Sequence, residues 1–283
     1  MRVLDLFSGI GGFSLGSDWA GGFETVAFCE CEPYPVSVLK THWPDVPVFP
    51  DVRKLYKFAS DYQECDCCGE PFCELCNEHF ADCDCFGCSQ FDDEVGGIDV
   101  ITAGFPCQDV SSLNQFHGDL DGTDGERSGL FREVIRLVCN LRPKYAVLEN
   151  VTDLLVRGFG DIAGELVQIG YDCEWHCIPA SAVGAEHARD RIFIIAYPAG
   201  FRMEGVWPKG VIIPSTVDRK RLSVRDSNGQ WKVEPCLLRA TNGVPCRLDR
   251  PNRSARLKAL GNAVVPQVAQ LIFEAIHKHF REK

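Results

Sequence analysis

The sequence predicts an α/β fold built on a doubly wound, mostly parallel sheet. Three observations point there. Short apolar runs alternate with stretches of helical spacing as far as Pro198. Three of the first runs end at a glycine turn or an acid: Leu6 before Ser8-Gly9-Ile10-Gly11-Gly12, Cys29 before Glu30, Phe49 before Asp51. The opening unit therefore reads strand, glycine loop, helix, strand, acid, the way open parallel sheets begin.

The elements follow in order. Met1–Leu6 is the first strand, and a helical stretch follows its glycine turn. Thr25–Cys29 is the second strand, Pro33 to Leu39 a helix, and Val46–Phe49 a short third strand. A cysteine-rich segment then interrupts the pattern. Asp99–Ala103 is the fourth strand and runs into Gly104-Phe105-Pro106-Cys107. Leu130–Leu141 has helical spacing, and Tyr145–Leu148 is a fifth strand ending at Glu149-Asn150. Ile162–Ile169 is helical; Asp172–Cys177 and Arg191–Tyr197 are strands. From Pro198 to about Pro245 the pattern dissolves into Gly, Pro and basic residues, and Val264–Phe280 closes as a helix. The expected organisation is a main domain over 1–198 with a Cys-rich insertion at 60–95, a small irregular lobe at 199–245, and a segment, 246–283, returning to the main domain.

The composition is that of a folded globular chain. The 283 residues (31.5 kDa) are 45% hydrophobic and 24% charged, wrong for a disordered protein. No apolar run comes near the roughly 18 residues of a membrane helix. The first residues, Met1-Arg2-Val3-Leu4-Asp5, do not read as a signal peptide, so a cytoplasmic location with no membrane partner is expected. The net charge of −11 hides a split. Residues 199–283 hold 16 Lys and Arg against 7 acids, a net of +9, whereas 61–94 hold 11 acids and no Lys or Arg. The basic third can face phosphates.

Of the 16 cysteines, eight fall between Cys65 and Cys88. In a reducing compartment that clustering points to metal rather than disulfides. Cys65-x-x-Cys68, Cys73-x-x-Cys76 and Cys85-x-x-Cys88 have the ligand spacing of structural zinc (Zn2+), with Cys67, Cys83 and His79 in reserve. Two of the three pairs would complete one tetrahedral site, and eight thiols could serve two ions. The spacing fits no iron–sulfur motif. The segment is too acidic to grip phosphate, which leaves a zinc-stapled insertion or a partner-binding knob.

The remaining motifs are weak one at a time. The glycine loop suits close approach of a cofactor, and Glu30 is placed for ribose hydroxyls. It is not Gly-x-Gly-x-x-Gly, and Asp5 ahead of it would repel a pyrophosphate but suit the sulfonium and amino groups of S-adenosylmethionine. A cysteine past a strand, as at Cys107, is a nucleophile or a buried structural thiol. Glu149 alone reads as a paired or solvated acid. Arg189 and Arg191 alone read as an edge-strand ion pair.

Together, and in this order, they resemble the DNA (cytosine-5) methyltransferase family. The matching residues are Asp5–Gly16, Gly104–Ser111, Ser128–Phe131, Glu149-Asn150-Val151, Arg189–Ile192 and Gly261–Pro266, so the likeness covers nearly the whole chain outside 60–95 and 199–245. One departure is His187, where many relatives carry glutamine. The resemblance implies a Rossmann-like S-adenosylmethionine-dependent methyltransferase that flips a cytosine out of double-stranded DNA. Cys107 would be the thiolate that adds to C6, Glu149 the proton donor at N3, Arg191 the hold on O2, and Arg189 its support. Asp5, Phe7, Gly9, Gly11, Glu30, Asp51, Val52, Pro106, Asn262 and Val264 would bind the cofactor, with Phe7 on the adenine and Asp51 at its amino group. Gln108 and Ser111 would lie in the loop enclosing the base. The stretch 199–245 would recognise the target, with Arg219, Arg221 and Arg225 among the DNA contacts. The resemblance also allows a cognate restriction endonuclease as partner, expects a monomer, and leaves open a tRNA or RNA substrate or an inactive DNA- or zinc-binding module.

Overall fold

The computed structural model describes residues 1–55, 97–106, 129–185, 189–201 and 253–281, with residue 95 and the short strands at 63–64, 71–73 and 78–79. Strands β1 (Arg2–Leu6), β2 (Glu24–Cys29), β3 (Val48–Phe49), β7 (Val100–Ala103), β8 (Tyr145–Val151), β9 (Tyr171–Pro179) and β10 (Asp190–Pro198) form one seven-stranded sheet. Its order is β3-β2-β1-β7-β8-β10-β9. The β1–β2, β2–β3, β1–β7 and β7–β8 pairs are parallel; β10 runs antiparallel to both β8 and β9. This is the doubly wound, mostly parallel sheet the sequence predicts. Strands β4 (Gln63–Glu64), β5 (Pro71–Cys73) and β6 (Glu78–His79) make a separate antiparallel sheet within the cysteine segment, which the sequence reading did not foresee.

The sheet is buried on both faces, which is why its strands read as unbroken apolar runs. Val3, Val100, Tyr145, Val147, Phe193 and Ile195 face helices α1 (Gly12–Ala20) and α7 (Pro266–Arg281). Their alternate neighbours Leu4, Leu6, Ile101, Ala146, Leu148, Ile192 and Ile194 face α3 (Leu130–Leu141) and α5 (Phe159–Gln168). Helix α2 (Pro33–His42) starts on Pro33, whose missing N–H costs nothing in a first turn. A single turn, α4 (Leu154–Arg157), leads into α5.

The closing helix of the sequence reading, Val264–Phe280, is α7, which opens at Pro266, and a further helix precedes it. This is α6 (Arg253–Asn262), and only Ala259 of it is buried. A stretch within Arg253–Arg281 reaches a mean hydropathy of 1.3, enough by length and composition for a membrane span and more than the sequence reading allowed. In the fold its apolar side is core: Val268, Ala269, Ile272, Phe273, Ala275 and Ile276 pack on the sheet.

α1 and α7 approach closely because α1 carries glycines where they cross. A Cβ on Gly16 would lie 2.6 Å from both Ala269 Cβ and Pro266 O, and 2.8 Å from Gln270 N. Two of those atoms are backbone, which cannot step aside. Gly16→Ala is expected to destabilise the protein by about 1–3 kcal/mol. Gly164→Ala on α5, with nothing within 4 Å of the new methyl, is expected to be neutral or stabilising by up to ~1 kcal/mol. Denaturant unfolding of the two variants checks the contrast.

Candidate active site

The parallel strands β1, β2, β3, β7 and β8 all end on one edge of the sheet. Antiparallel β10 begins on that edge, which brings a strand start, Arg189-Asp190-Arg191, beside the strand ends. In such sheets ligands sit outside this edge.

The glycine loop is built from behind by Asp5. Its carboxylate is fully buried and accepts from Ser14 Oγ at 2.8 Å and Thr102 Oγ1 at 2.7 Å. Burial raises its pKa to about 7, against the pull of those hydroxyls. With both oxygens engaged, Asp5 braces β1, β7 and α1 together. Ser8 Oγ donates to Asp5 O, and Gly11 N–H closes a turn on Ser8 O at 2.9 Å. Phe7 (φ 52), Gly9 (φ 54) and Gly11 (φ 82) are all left-handed. For Phe7, a non-glycine, that conformation costs on the order of 1–3 kcal/mol. Behind the loop stands Trp43, whose ring a Cβ on Gly11 would strike at 2.6 Å, whereas nothing lies within 4 Å of a Cβ on Gly9. The loop thus has a packed back and, among the described residues, an open front at Gly9.

Glu30 ties the second strand end to this loop. Its Oε2 accepts from Gly9 N–H and its Oε1 from Glu32 N–H, both at 2.8 Å. Each oxygen keeps a further lone pair for hydroxyl donors. Asp51 caps a 3-10 turn, Val52–Lys54, and pairs with Arg53 at 2.9 Å; that hydrogen bond holds its carboxyl below the usual range. Val52 is buried in the core beneath the turn.

The base-binding candidates meet on β8 and β10. Glu149 is buried, with its Oε1 3.0 Å from Arg191 Nε. The N–H is poorly aligned for a hydrogen bond, so the contact is an ion pair. Burial raises the Glu149 pKa to about 7, and the charges of Arg191 and Arg189 only partly offset it. Asn150, which the sequence reading gave no role, donates from Nδ2 to Phe105 O at 3.0 Å. It thereby fixes the backbone just before Pro106 and Cys107. Phe105 is buried with its ring 5.2 Å from that of Phe131 on α3.

Arg189 reaches away from the base candidates toward the end of the chain. Its Nη1 donates to Gly261 O at 2.6 Å and its Nη2 to Ala263 O at 2.7 Å. These bonds clamp the end of α6, with Asn262 exposed there, and the following loop with Val264, whose carbonyl lies against Gly12. At Gly104 everything converges. A Cβ there would be 3.7 Å from Glu149 Oε2 and 3.9 Å from both Phe7 O and Val264 Cγ2. The glycine loop, the buried acid and the C-terminal loop therefore surround the turn that leads to Cys107.

Cys107, Gln108, Ser111, His187, Arg219, Arg221 and Arg225 lie outside the described residues, as do Cys65, Cys68, Cys76, Cys85 and Cys88; Cys73 closes β5. Among the described residues no group of His, Cys, Asp and Glu is arranged to hold a metal.

The chain is similar to several known proteins. The chain is 29% identical over 280 residues to the type II methyltransferase M.CviJI of Paramecium bursaria Chlorella virus IL3A, covering 97% of this chain and 59% of that one. It is 28% identical over 204 residues to M2.BsuMI of Bacillus subtilis, covering 69% and 42%. The chain thus spans about half the length of these relatives. The S. pombe Dnmt2 methyltransferase structure matches at 18% identity and a TM-score of 0.48, over 70% of this chain and 50% of that one. The family model for C-5 cytosine-specific DNA methylase matches residues 1–232. Loop, acid pair and clamp thus stand in a chain that belongs to the C-5 cytosine-specific DNA methylase family.

Proposed function

We propose that this protein methylates C5 of cytosine in double-stranded DNA at a specific sequence, using S-adenosylmethionine. The observation that carries the reading is the convergence at Gly104 of the open glycine loop, buried Glu149 and the Val264 loop. The glycine front, Phe7, Glu30 and the Asp51–Val52 turn fit the cofactor, which when bound supplies an electrophilic methyl group. The flipped base takes the Cys107 thiolate at C6. Glu149, half-protonated near pH 7, gives a proton or hydrogen bond at N3, so the ring becomes an enamine without gathering negative charge. Arg191 steadies O2. C5 then acquires the methyl as the methyl–sulfur bond breaks, and loss of the C5 proton to a base, with return of the N3 proton to Glu149, expels the Cys107 thiolate and restores the aromatic ring. Arg189 acts by holding the Gly261–Ala263 backbone against the site.

In this reading 1–198 is the catalytic unit, 199–245 the target-recognition region, and 246–283 the return segment. Arg219, Arg221 and Arg225 supply phosphate or guanine contacts there. A cytoplasmic monomer, with or without a cognate endonuclease, fits this role. Bisulfite sequencing of DNA from a host expressing the protein tests it: protected cytosines should fall in one sequence context. Transfer to tRNA but not to duplex DNA would overturn the DNA assignment.

The cysteine segment is proposed to hold structural zinc. Residues 65–70, with Cys65 and Cys68, connect β4 to β5, and residues 74–77, with Cys76, connect Cys73 at the end of β5 to β6. Strands of two or three residues cannot order such an acidic segment by themselves. Zinc thiolates contribute on the order of 10 kcal/mol. Protein purified without added zinc is expected to contain about one or two ions per chain, and chelation should lower its Tm before the chemistry is touched. A metal-free protein equally stable in chelator would mean free thiols.

A further inference from the structure

We propose that Arg136 is a positioning residue that sets the adenine end of the cofactor pocket and joins it to the base-binding side. The inference rests on the function proposed above and adds to it a residue outside every motif used so far. From the middle of α3, Arg136 Nη2 donates to Leu55 O at 2.9 Å and Val52 O at 3.2 Å. Its Nε pairs with Glu133 Oε2 at 2.7 Å, one turn earlier on the same helix. The two carbonyls belong to the first residue and the C-cap of the turn that Asp51 opens.

The buried side chains of Val52 and Leu55 anchor that turn from below. It follows β3, a two-residue edge strand paired with β2 only through Phe28–Val48 and Cys29–Phe49, with flanking bonds to Pro47 O and Phe49 O. On the polar side, the backbone of the turn meets the Arg136 guanidinium. The planar guanidinium fork gives it two bonds from Nη2 while Nε holds Glu133, a span from carboxylate to carbonyls that the single nitrogen of a lysine does not cover. Glu133 fixes the direction of that fork. The same helix begins at Leu130, directly after the sequence segment that carries Cys107, and packs Phe131 on Phe105. One rigid element therefore touches the turn beside the cofactor and the turn before the nucleophile.

The test uses Arg136→Lys and Glu133→Gln in the full chain. Cofactor and adenosine binding are measured by calorimetry, and KM for the cofactor, kcat, DNA affinity and Tm are measured alongside. Arg136→Lys is expected to weaken both S-adenosylmethionine and adenosine by about tenfold, the equivalent of ~1.4 kcal/mol. KM should rise in step, kcat at saturating cofactor should fall far less, and DNA affinity should stay put. Glu133→Gln should show the same pattern at roughly threefold. Unchanged cofactor affinity in either folded variant overturns the proposal, as does a fall in kcat with KM constant. If Arg136→Lys does not fold, Glu133→Gln decides alone. Wild-type protein that binds no S-adenosylmethionine would instead overturn the functional reading.

Discussion

Cys107→Ser is expected to abolish methyl transfer, by at least about 10³-fold, while cofactor binding stays nearly intact. A serine hydroxyl is hardly ionised where a thiol is, so the addition to C6 has no nucleophile to start it. The residues before it are held independently of the thiol. Phe105 is buried and its carbonyl is bonded to Asn150, and Gly104 is enclosed by Phe7, Glu149 and Val264. The substitution should therefore leave the glycine loop undisturbed. Transfer of labelled methyl groups to DNA measures the loss, and calorimetry with S-adenosylmethionine measures what is retained. A variant keeping more than a few per cent of the wild-type rate would place the nucleophile elsewhere.

Glu149→Gln is expected to lower kcat severely, by roughly 10²–10⁴-fold, with DNA affinity changed only a few-fold. The amide can donate a hydrogen bond to N3 but cannot deliver a proton. Wild-type activity should carry a signature of the carboxyl. Burial holds its pKa at about 7, so the acid form is lost as pH rises through 7 and the rate should decline there with a one-proton slope. Asp5, also raised to about 7 by burial, titrates in the same range but faces Ser14 and Thr102 behind the loop. The residual activity of Glu149→Gln separates them: loss of the alkaline limb assigns it to Glu149, and persistence assigns it to Asp5. Both acids bind a proton in the native state that the unfolded chain has released between about pH 4 and 7. Their contribution to stability therefore falls as pH rises through that window.

Much of this site was legible in the sequence because its residues stand where strands stop. Leu6, Cys29, Phe49 and Ala103 end apolar runs, and the polar residues after them had to lie on one edge of a parallel sheet. The first turn of α7 was read as continuous with Val264, but Pro266 opens the helix and α6 was missed altogether. With Ala259 its only buried residue, α6 has no apolar stripe for periodicity to detect. The contacts of Asn150 and Arg136 were hidden for another reason. Each acts on a backbone carbonyl, and a carbonyl has no sequence identity to match. The destinations of Arg189 were hidden too, since Gly261 and Ala263 lie more than seventy residues away along the chain.

The packing of α1 against α7 has a consequence for how the chain is made. The surface around Gly12 and Gly16 has its partner in Val264, Pro266 and Ala269, near the opposite end of the sequence. On the ribosome, at about 5–20 residues per second, the first helix would wait on the order of 10–50 seconds for that partner to be synthesised. Until then the α1-facing side of the sheet, including Val3, Val100 and Tyr145, lacks its principal cover. The nascent chain can assemble the α3 and α5 layer early, but the α7 side is closed last, after the basic stretch 199–245 has been synthesised. Translation thus leaves this face of the sheet without α7 until residues 266–276 have been made.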